Sequence, residues 1–539
     1  MSDSSKQKKD WWHGAVVYQV YPRSFLDSDG DGIGDLRGII NKLDYLAGGA
    51  GSLGVDAIWI SPFYSSPMAD FGYDIADYYT VDAVFGTNED FDELLKQAHE
   101  RDIRVVVDFV PNHTSSQHPW FLESRSSKDN PKRDWYTWRD GRPEGGAPNN
   151  WESPFGESVW ELDALTGQYY LHTFLKQQPD LNWDNPEVRR AMHEVAKFWL
   201  DKGADGLRVD AVSWLSKDPE FKDDLPNPHY VAGKDDPYSA LLHNFSVRGP
   251  RLFDYLNELA ELCASYGNRF MFTEAYPEVK GDISLYLKYY ENLRYDICAP
   301  MNFEFISLPW EAQAYKEFID SFQEALLPGQ TPIYNMGNHD QPRLASRIGP
   351  EAARTAAMLL LMLPGMAFIY YGDELGMTNS ALPADKLQDP FVGVDGSSRD
   401  IARTPMQWSS ENNTGFSASE PWLPVTPNYV DLNVGSERGD HKSLLNLYKA
   451  LLKIHNDSDA AKHGSYRSLD VGPDVYAFVR ENEDQRITTV LNFSDKNVDV
   501  PSTALKGSLL LSTYLDNGSA EVHDDVKLRP YEGIIILSD

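Results

Sequence analysis

The sequence predicts an α/β protein built on a (β/α)8 TIM barrel, with a small domain inserted after the third strand and an antiparallel β-sandwich at the carboxyl end. Three observations predict it: eight short apolar runs alternating with helical stretches, one connection far too long for a loop, and a change of pattern beyond about residue 460.

The apolar runs are AVVYQVYP from Ala15, DAIWISP from Asp56, RVVVDFVPNH from Arg104, GLRVDAV from Gly206, RFMFTEAY from Arg269, YDICAPMNF from Tyr295, PIYNMGNHD from Pro332 and MAFIYYGDE from Met366. Near-continuous apolar strands are what a parallel sheet covered on both faces requires. Between them lie helical segments such as EDFDELLKQAHE from Glu89 and PEVRRAMHEVAKFWLDKG from Pro186. The second opens with Asn185 as a cap and Pro186 in its first turn, and it stops at Gly203. Eight alternations fit a closed barrel better than an open doubly wound sheet. No glycine-rich phosphate loop follows the first strand, which argues against a dinucleotide-binding fold.

Residues 113–180 are rich in Trp, Pro, Asn and Gly, and a structureless connection of that length is unusual, so they are expected to form the inserted domain. The barrel then occupies 1–112 and 181–460. In 461–539 short alternating strands, such as VYAFVR from Val475, ITTVLNF from Ile487 and GIIILS from Gly533, predict the sandwich.

The formal net charge is −33, from 49 basic and 82 acidic residues, and a surface this acidic repels phosphate backbones, which excludes nucleic acid as a partner. Aromatic residues make up 12% of the chain, which suits stacking against sugar faces and equally suits a large core. Cys263 and Cys298 lie in apolar surroundings and read as buried thiols rather than a disulfide. The opening MSDSSKQKKD has no apolar segment of a secretion signal, and no 18-residue apolar run occurs, so a cytoplasmic protein without a membrane partner is expected. Nothing in the sequence sets an oligomeric state.

Function in such a barrel gathers at the carboxyl ends of the strands. The third run ends with Asp108, Asn112 and His113, the fourth with Arg208 and Asp210, the fifth with Glu274, and the seventh with His339 and Asp340. This set suits hydrolysis of a glycosidic bond, where one ionised carboxylate attacks the anomeric carbon and one protonated carboxyl serves the leaving oxygen. Arg208 and Asp210 share a strand face, so the cation favours an ionised, nucleophilic Asp210. Glu274 stands between apolar neighbours in FMFTEAY, where desolvation favours the protonated form of a general acid. Asp340 is left to hold substrate hydroxyls and favour the distorted ring of the transition state. Asp108 reads as a buried orienting carboxylate, and Asn112 as a turn cap or pocket support outside the site.

DFVPNH, GLRVDAV, TEAY and NHD, in that order, resemble the four signature segments of the α-amylase superfamily, glycoside hydrolase family 13. The resemblance runs from WWHGAVVYQVYPRSF to the terminal sandwich. It implies Asp210 as nucleophile, Glu274 as acid/base and Asp340 as transition-state stabiliser, with Arg208, His113 and His339 contacting the sugar of the first subsite. QPDLN from Gln178 is similar to the oligo-1,6-glucosidase and α-glucosidase branch, and SPMADFGYDI and TEAYPE look like its maltases and α-glucosidases. In that branch an Asp and an Arg close the pocket behind the terminal glucose. Asp70 matches the Asp, Tyr73 the stacking platform, and Arg399 in SSRDIARTPMQW is the choice for the Arg, with Arg403 as the alternative. Phe155, Phe174 and Phe303 match aromatic wall positions. Ile401 departs from the pattern, standing where a small residue is common.

The implied activity is that of a retaining, exo-acting α-glucosidase, which releases α-glucose from the non-reducing end of maltose and short α-glucosides and shares its residues with transglucosylation. Ala211 points to an α-1,4 preference: in the resembling branch a bulkier Val there accompanies α-1,6 activity, and a β-branched side chain is stiff. The alternatives are an oligo-1,6-glucosidase or a sucrose-active, transglucosylating enzyme. A non-catalytic alternative, the ectodomain of amino-acid transporter heavy chains, typically lacks the three acids this chain carries.

DSDGDGIGDLRG from Asp27 places Asp27, Asp29, Asp31 and Asp35 on a tight loop, with Ile33 able to offer only its carbonyl. Oxygen donors this dense suit Ca²⁺. The spacing resembles the start of an EF-hand, but Gly38 stands where the bidentate Glu would be, and a strand rather than a helix precedes the loop. In the resembling family this loop holds structural Ca²⁺, or sometimes Mg²⁺; a plain acidic turn is the alternative.

Overall fold

The computed structural model describes residues 10–49, 51–276, 282–391, 398–501, 505–516, 521–522 and 525–538. Eight parallel strands close into a barrel: β1 (Val16–Val20), β2 (Ala57–Ile60), β3 (Arg104–Phe109), β4 (Gly206–Val209), β5 (Phe270–Ala275), β6 (Cys298–Asn302), β7 (Ile333–Asn335) and β8 (Met366–Tyr370). Each pairs with its successor in sequence, and β8 returns to β1. Every residue of these strands is buried except Arg104 at the start of β3, which is the reason the runs read as continuous rather than alternating.

The helices form where the local signals put them. In the helix Pro186–Lys202, Asn185 accepts the Glu187 N–H, and Gly203 ends the last turn at φ 114°, a left-handed conformation that a side chain would strain. Val188, Met192, Val195 and Trp199 recur at helical spacing and are buried. Each such side chain contributes about 1.5–3 kcal/mol when fully removed from water.

Between β3 and β4 the chain leaves the barrel. It forms the helix Pro119–Ser126 and a three-stranded sheet of Trp138–Arg139, Tyr169–Leu171 and Trp160–Leu162, in that spatial order. Bridges His113–Asp180 and Tyr136–Leu181 pin the outgoing and returning segments together, next to the open end of the barrel. The carboxyl-terminal part is a six-stranded antiparallel sheet facing the pair Val498–Val500 and Val526–Leu528. Val475, Ala477, Val490, Val500, Leu528, Ile534 and Ile536 pack between the two layers.

Cys263 and Cys298 are both buried free thiols, and burial pushes the Cys263 thiol up to about 12. Among the described residues no helix is long and apolar enough to cross a membrane.

Candidate active site

Parallel pairing sets Arg208 of β4 beside Asp108 of β3 and Phe272 of β5. The Arg208 side chain is fully buried. Its Nη1 donates to Asp108 Oδ1 at 2.9 Å and to Asp210 Oδ1 at 2.5 Å. Its Nη2 lies 2.7 Å from Glu274 Oε1, an ion pair without the alignment of a hydrogen bond. Glu274 Oε2 accepts the Ala211 N–H at 2.9 Å.

Two expectations change here. The guanidinium is shared among three carboxylates instead of serving Asp210 alone, and Glu274 has two polar partners instead of an apolar surround. The cause is register: adjacent β4 and β5 bring both acids to the same cation. Burial pushes the Asp210 carboxyl well above the usual range, with Arg208 opposing and Glu274 and Asp108 adding to the rise. Burial likewise raises Asp108 to about 6 against the pull of Arg208. Arg208 therefore opposes, and does not by itself overcome, the burial that disfavours an ionised Asp210, so the expectation that the cation alone keeps this acid ionised does not hold.

Tyr73 lies parallel to His339, with ring centroids 5.4 Å apart and planes 3° from coplanar. Gln19 Nε2 donates to His339 Nδ1 at 2.8 Å. His339 Nε2 then faces the Tyr73 hydroxyl at 2.8 Å, and that hydroxyl donates to Asp108 Oδ2 at 3.1 Å. Burial drops His339 to about 3 and His113 to about 4, so both rings are neutral near pH 7. His113 lies 3.1 Å from Gln178 Nε2, which also donates to Asp70 Oδ2 at 3.1 Å.

Arg399 lines the pocket and joins two of its acids. Its Nη2 donates to Asp70 Oδ1 at 2.8 Å and its Nη1 to Asp340 Oδ1 at 3.1 Å. Arg403 also donates to Asp340 Oδ1 at 3.0 Å but spends its Nε on the His339 carbonyl. The geometry therefore joins Arg399, and not Arg403, to Asp70. Burial pushes Asp340 up, yet His339, Arg399 and Arg403 together hold it well below the usual carboxylate range. Because His339 is itself neutral near pH 7, the two guanidiniums carry that effect.

These groups face a pocket of about 470 Å³, within the usual range for small-molecule sites. Asp70, Tyr73, His113, Phe155, Phe174, Asp210, Glu274, His339, Asp340 and Arg399 all line it, and Arg208 lies buried beneath. Phe303 does not line it: it is buried behind Tyr276, stacked at 4.3 Å, and Tyr276 presents the wall. The sequence reading missed Gln178, Trp214, Asp236, Tyr238, Tyr276 and Phe391 in the lining. QPDLN was a signal for Gln178, and TEAY for Tyr276. Asp236 and Tyr238 come from an irregular excursion after β4 with no periodic pattern. Pro277 and Glu278 of TEAYPE, Ser397 of SSRDIARTPMQW and residues 1–9 lie outside the described residues.

On the aspartate-rich loop, carboxylate oxygens of Asp27, Asp29 and Asp35 come within 4.8 Å of one another. Asp31 instead accepts the Ile33 N–H at 2.7 Å, and Asp35 caps the helix Leu36–Asn41 through the Gly38 N–H. Burial and neighbouring carboxylates hold Asp31 and Asp35 above their ordinary range, a repulsion that a hard cation would relieve.

The alpha-amylase catalytic-domain family model matches residues 19–464. An oligo-1,6-glucosidase of Parageobacillus thermoglucosidasius is 40% identical, covering 97% of this chain and 98% of its own length. A trehalose-6-phosphate hydrolase of Bacillus subtilis is 36% identical, covering 98% of each. Among solved structures, the alpha-glucosyl transfer enzyme XgtA superposes with a TM-score of 0.91 at 36% identity, over 99% of this chain and 100% of its own. The trehalulose synthase MutB of Pseudomonas mesoacidophila gives 0.87 at 37% identity, over 98% and 99%.

Proposed function

The chain belongs to the alpha-amylase family, and from that premise we propose that it is a retaining, exo-acting enzyme that removes or transfers single glucosyl units from short α-glucosides. It is a glycoside hydrolase of family 13. The observation that carries the finer reading is the Asp70–Arg399 ion pair at 2.8 Å, in the wall of the same pocket as Asp210 and Glu274. A pocket closed by that pair accepts one terminal sugar and refuses a chain that continues past it.

In this reading Asp210 attacks the anomeric carbon while Glu274 gives its proton to the glycosidic oxygen. The glycosyl ester then yields to water or to a sugar hydroxyl, whose proton returns to Glu274, so the α configuration is retained. Asp340, kept ionised by Arg399 and Arg403, accepts bonds from the ring hydroxyls. The neutral imidazole of His339, with its Nδ1 held by Gln19, directs its Nε2–H to the Tyr73 hydroxyl and so holds that ring in the pocket wall. Asp27, Asp29 and Asp35, with the Asp31 side chain and the Ile33 carbonyl nearby, would hold Ca²⁺ or Mg²⁺ as a brace of the loop after β1, away from the chemistry.

The names of the relatives, an oligo-1,6-glucosidase, an alpha-glucosyl transfer enzyme and a MutB variant in complex with its substrate sucrose, support an oligo-1,6-glucosidase or a sucrose-active, transglucosylating enzyme as the first reading, and they do not support the α-1,4 preference expected from Ala211. Maltose is the second reading, and Ala211 is the observation that favours it. Initial rates on isomaltose, sucrose and maltose at equal concentration decide between them. Maltose turnover above both others overturns the first reading, and failure to release glucose or transfer product from all three overturns the proposal itself.

A further inference from the structure

We propose that Asp389, outside the pocket lining, is the positioning residue that sets the Arg399 guanidinium between Asp70 and Asp340 in the pocket wall; the inference rests on the exo-acting reading above. The Asp389 side chain is 0% exposed. It accepts Arg399 Nε at 2.9 Å and Nη2 at 2.7 Å, a two-point grip on one edge of the guanidinium. It also accepts the backbone N–H groups of Arg399 at 3.0 Å and Phe391 at 3.2 Å.

A guanidinium is a rigid planar fork, so holding one edge fixes the plane and aims the remaining donors. Those remaining donors are the ones that reach Asp70 and Asp340. Asp389 is itself held in place, because Asp400 Oδ2 accepts the backbone N–H groups of Gln388 at 2.6 Å and Asp389 at 2.8 Å. The line of constraint therefore runs from Asp400 through the Asp389 backbone and carboxylate to Arg399. Asp389 acts on the substrate only through that guanidinium.

A double-mutant cycle on the intact chain tests this, with kcat/KM for p-nitrophenyl α-glucoside as the readout. Arg399→Ala and Asp389→Asn are each expected to lower kcat/KM by about 100-fold, the scale of a small misplacement in a positioned site. In the Arg399→Ala background Asp389→Asn is expected to change kcat/KM by less than about 2-fold, since partners that act through one another are not additive. A merely structural Asp389 would lower activity in both backgrounds. Multiplying losses overturn the proposal, as does an Asp389→Asn enzyme with wild-type rates. A harmless Arg399→Ala beside a harmful Asp389→Asn overturns it too. If both single variants are harmless, the closed-pocket reading fails along with it. If Asp389→Asn does not fold, Asp389→Glu, which keeps the charge and moves the carboxylate by one methylene, takes its place in the cycle, and the same outcomes support or overturn the proposal.

Discussion

The backbone N–H of Ala211 donates to Glu274 Oε2 at 2.9 Å, and Ala211 holds a left-handed conformation, φ 49° and ψ 35°, as it does so. The residue after the proposed nucleophile is thus tied to the proposed acid/base, and its backbone sits where a side chain costs about 1–2 kcal/mol.

Ala211→Val is therefore expected to act twice. A β-branched residue is a greater outlier at positive φ than Ala, so the melting temperature should fall. The kcat/KM ratio of isomaltose to maltose should rise, by about 10-fold or more, because a methylene-sized change discriminates by about 1–3 kcal/mol, roughly 10- to 200-fold. Ala211→Gly relieves the backbone and should leave the ratio near wild type. An unchanged ratio in Ala211→Val would separate linkage choice from side-chain bulk.

Asp210→Asn should lower kcat by about four orders of magnitude or more on every substrate, since an amide cannot form the glycosyl ester. Glu274→Gln should cost about 100-fold or more with a sugar leaving group and much less with p-nitrophenol, which leaves without protonation. Proton NMR of the first glucose released by the wild type should show the α anomer. Equal losses for both variants on all leaving groups, or initial release of β-glucose, would reverse the role assignment.

His113 supplies a pH test with a definite sign. Burial lowers it to about 4 in the folded chain, while the unfolded chain binds the proton near the ordinary 6.5. Its contribution to stability is full above the unfolded value and is lost as pH falls through this window, by about 2–3 kcal/mol over two pH units. The wild type should therefore melt above His113→Asn by a margin that shrinks between about pH 7.5 and pH 4.5, read by scanning calorimetry. A margin independent of pH would mean that the folded ring takes up its proton at the same pH as the unfolded one, and a margin that grows on acidification would mean that it holds the proton more tightly.

Chelation of divalent metal should lower the melting temperature and leave turnover at low temperature intact, because a ligand bound only to the native state stabilises it by mass action. Asp29→Ala, which spares the Asp35 helix cap, should abolish the thermal response to added Ca²⁺. Elemental analysis of a carefully prepared sample should find one equivalent of metal. A sample without metal, indifferent to Ca²⁺, would leave the loop as an acidic turn.

The barrel was legible in the sequence because a strand buried on both faces has no room for alternation. All eight apolar runs became barrel strands, and the caps at Asn185 and Gly203 marked a helix to the residue. Strand ends also announced the acids, since only there does a barrel expose side chains to a common space. What tertiary structure decided is who meets whom. Asp70 and Arg399 are 329 residues apart, and no local pattern records that they touch. Register between β4 and β5 put Glu274 on the same guanidinium as Asp210, which a reading of each strand alone assigned to one acid. Phe303 went behind Tyr276 for the same reason: periodicity names a buried face, but packing chooses the ring that reaches the pocket. Asp389 and Tyr238 stand in irregular segments, where backbone direction is set by long-range contacts and leaves no period to read.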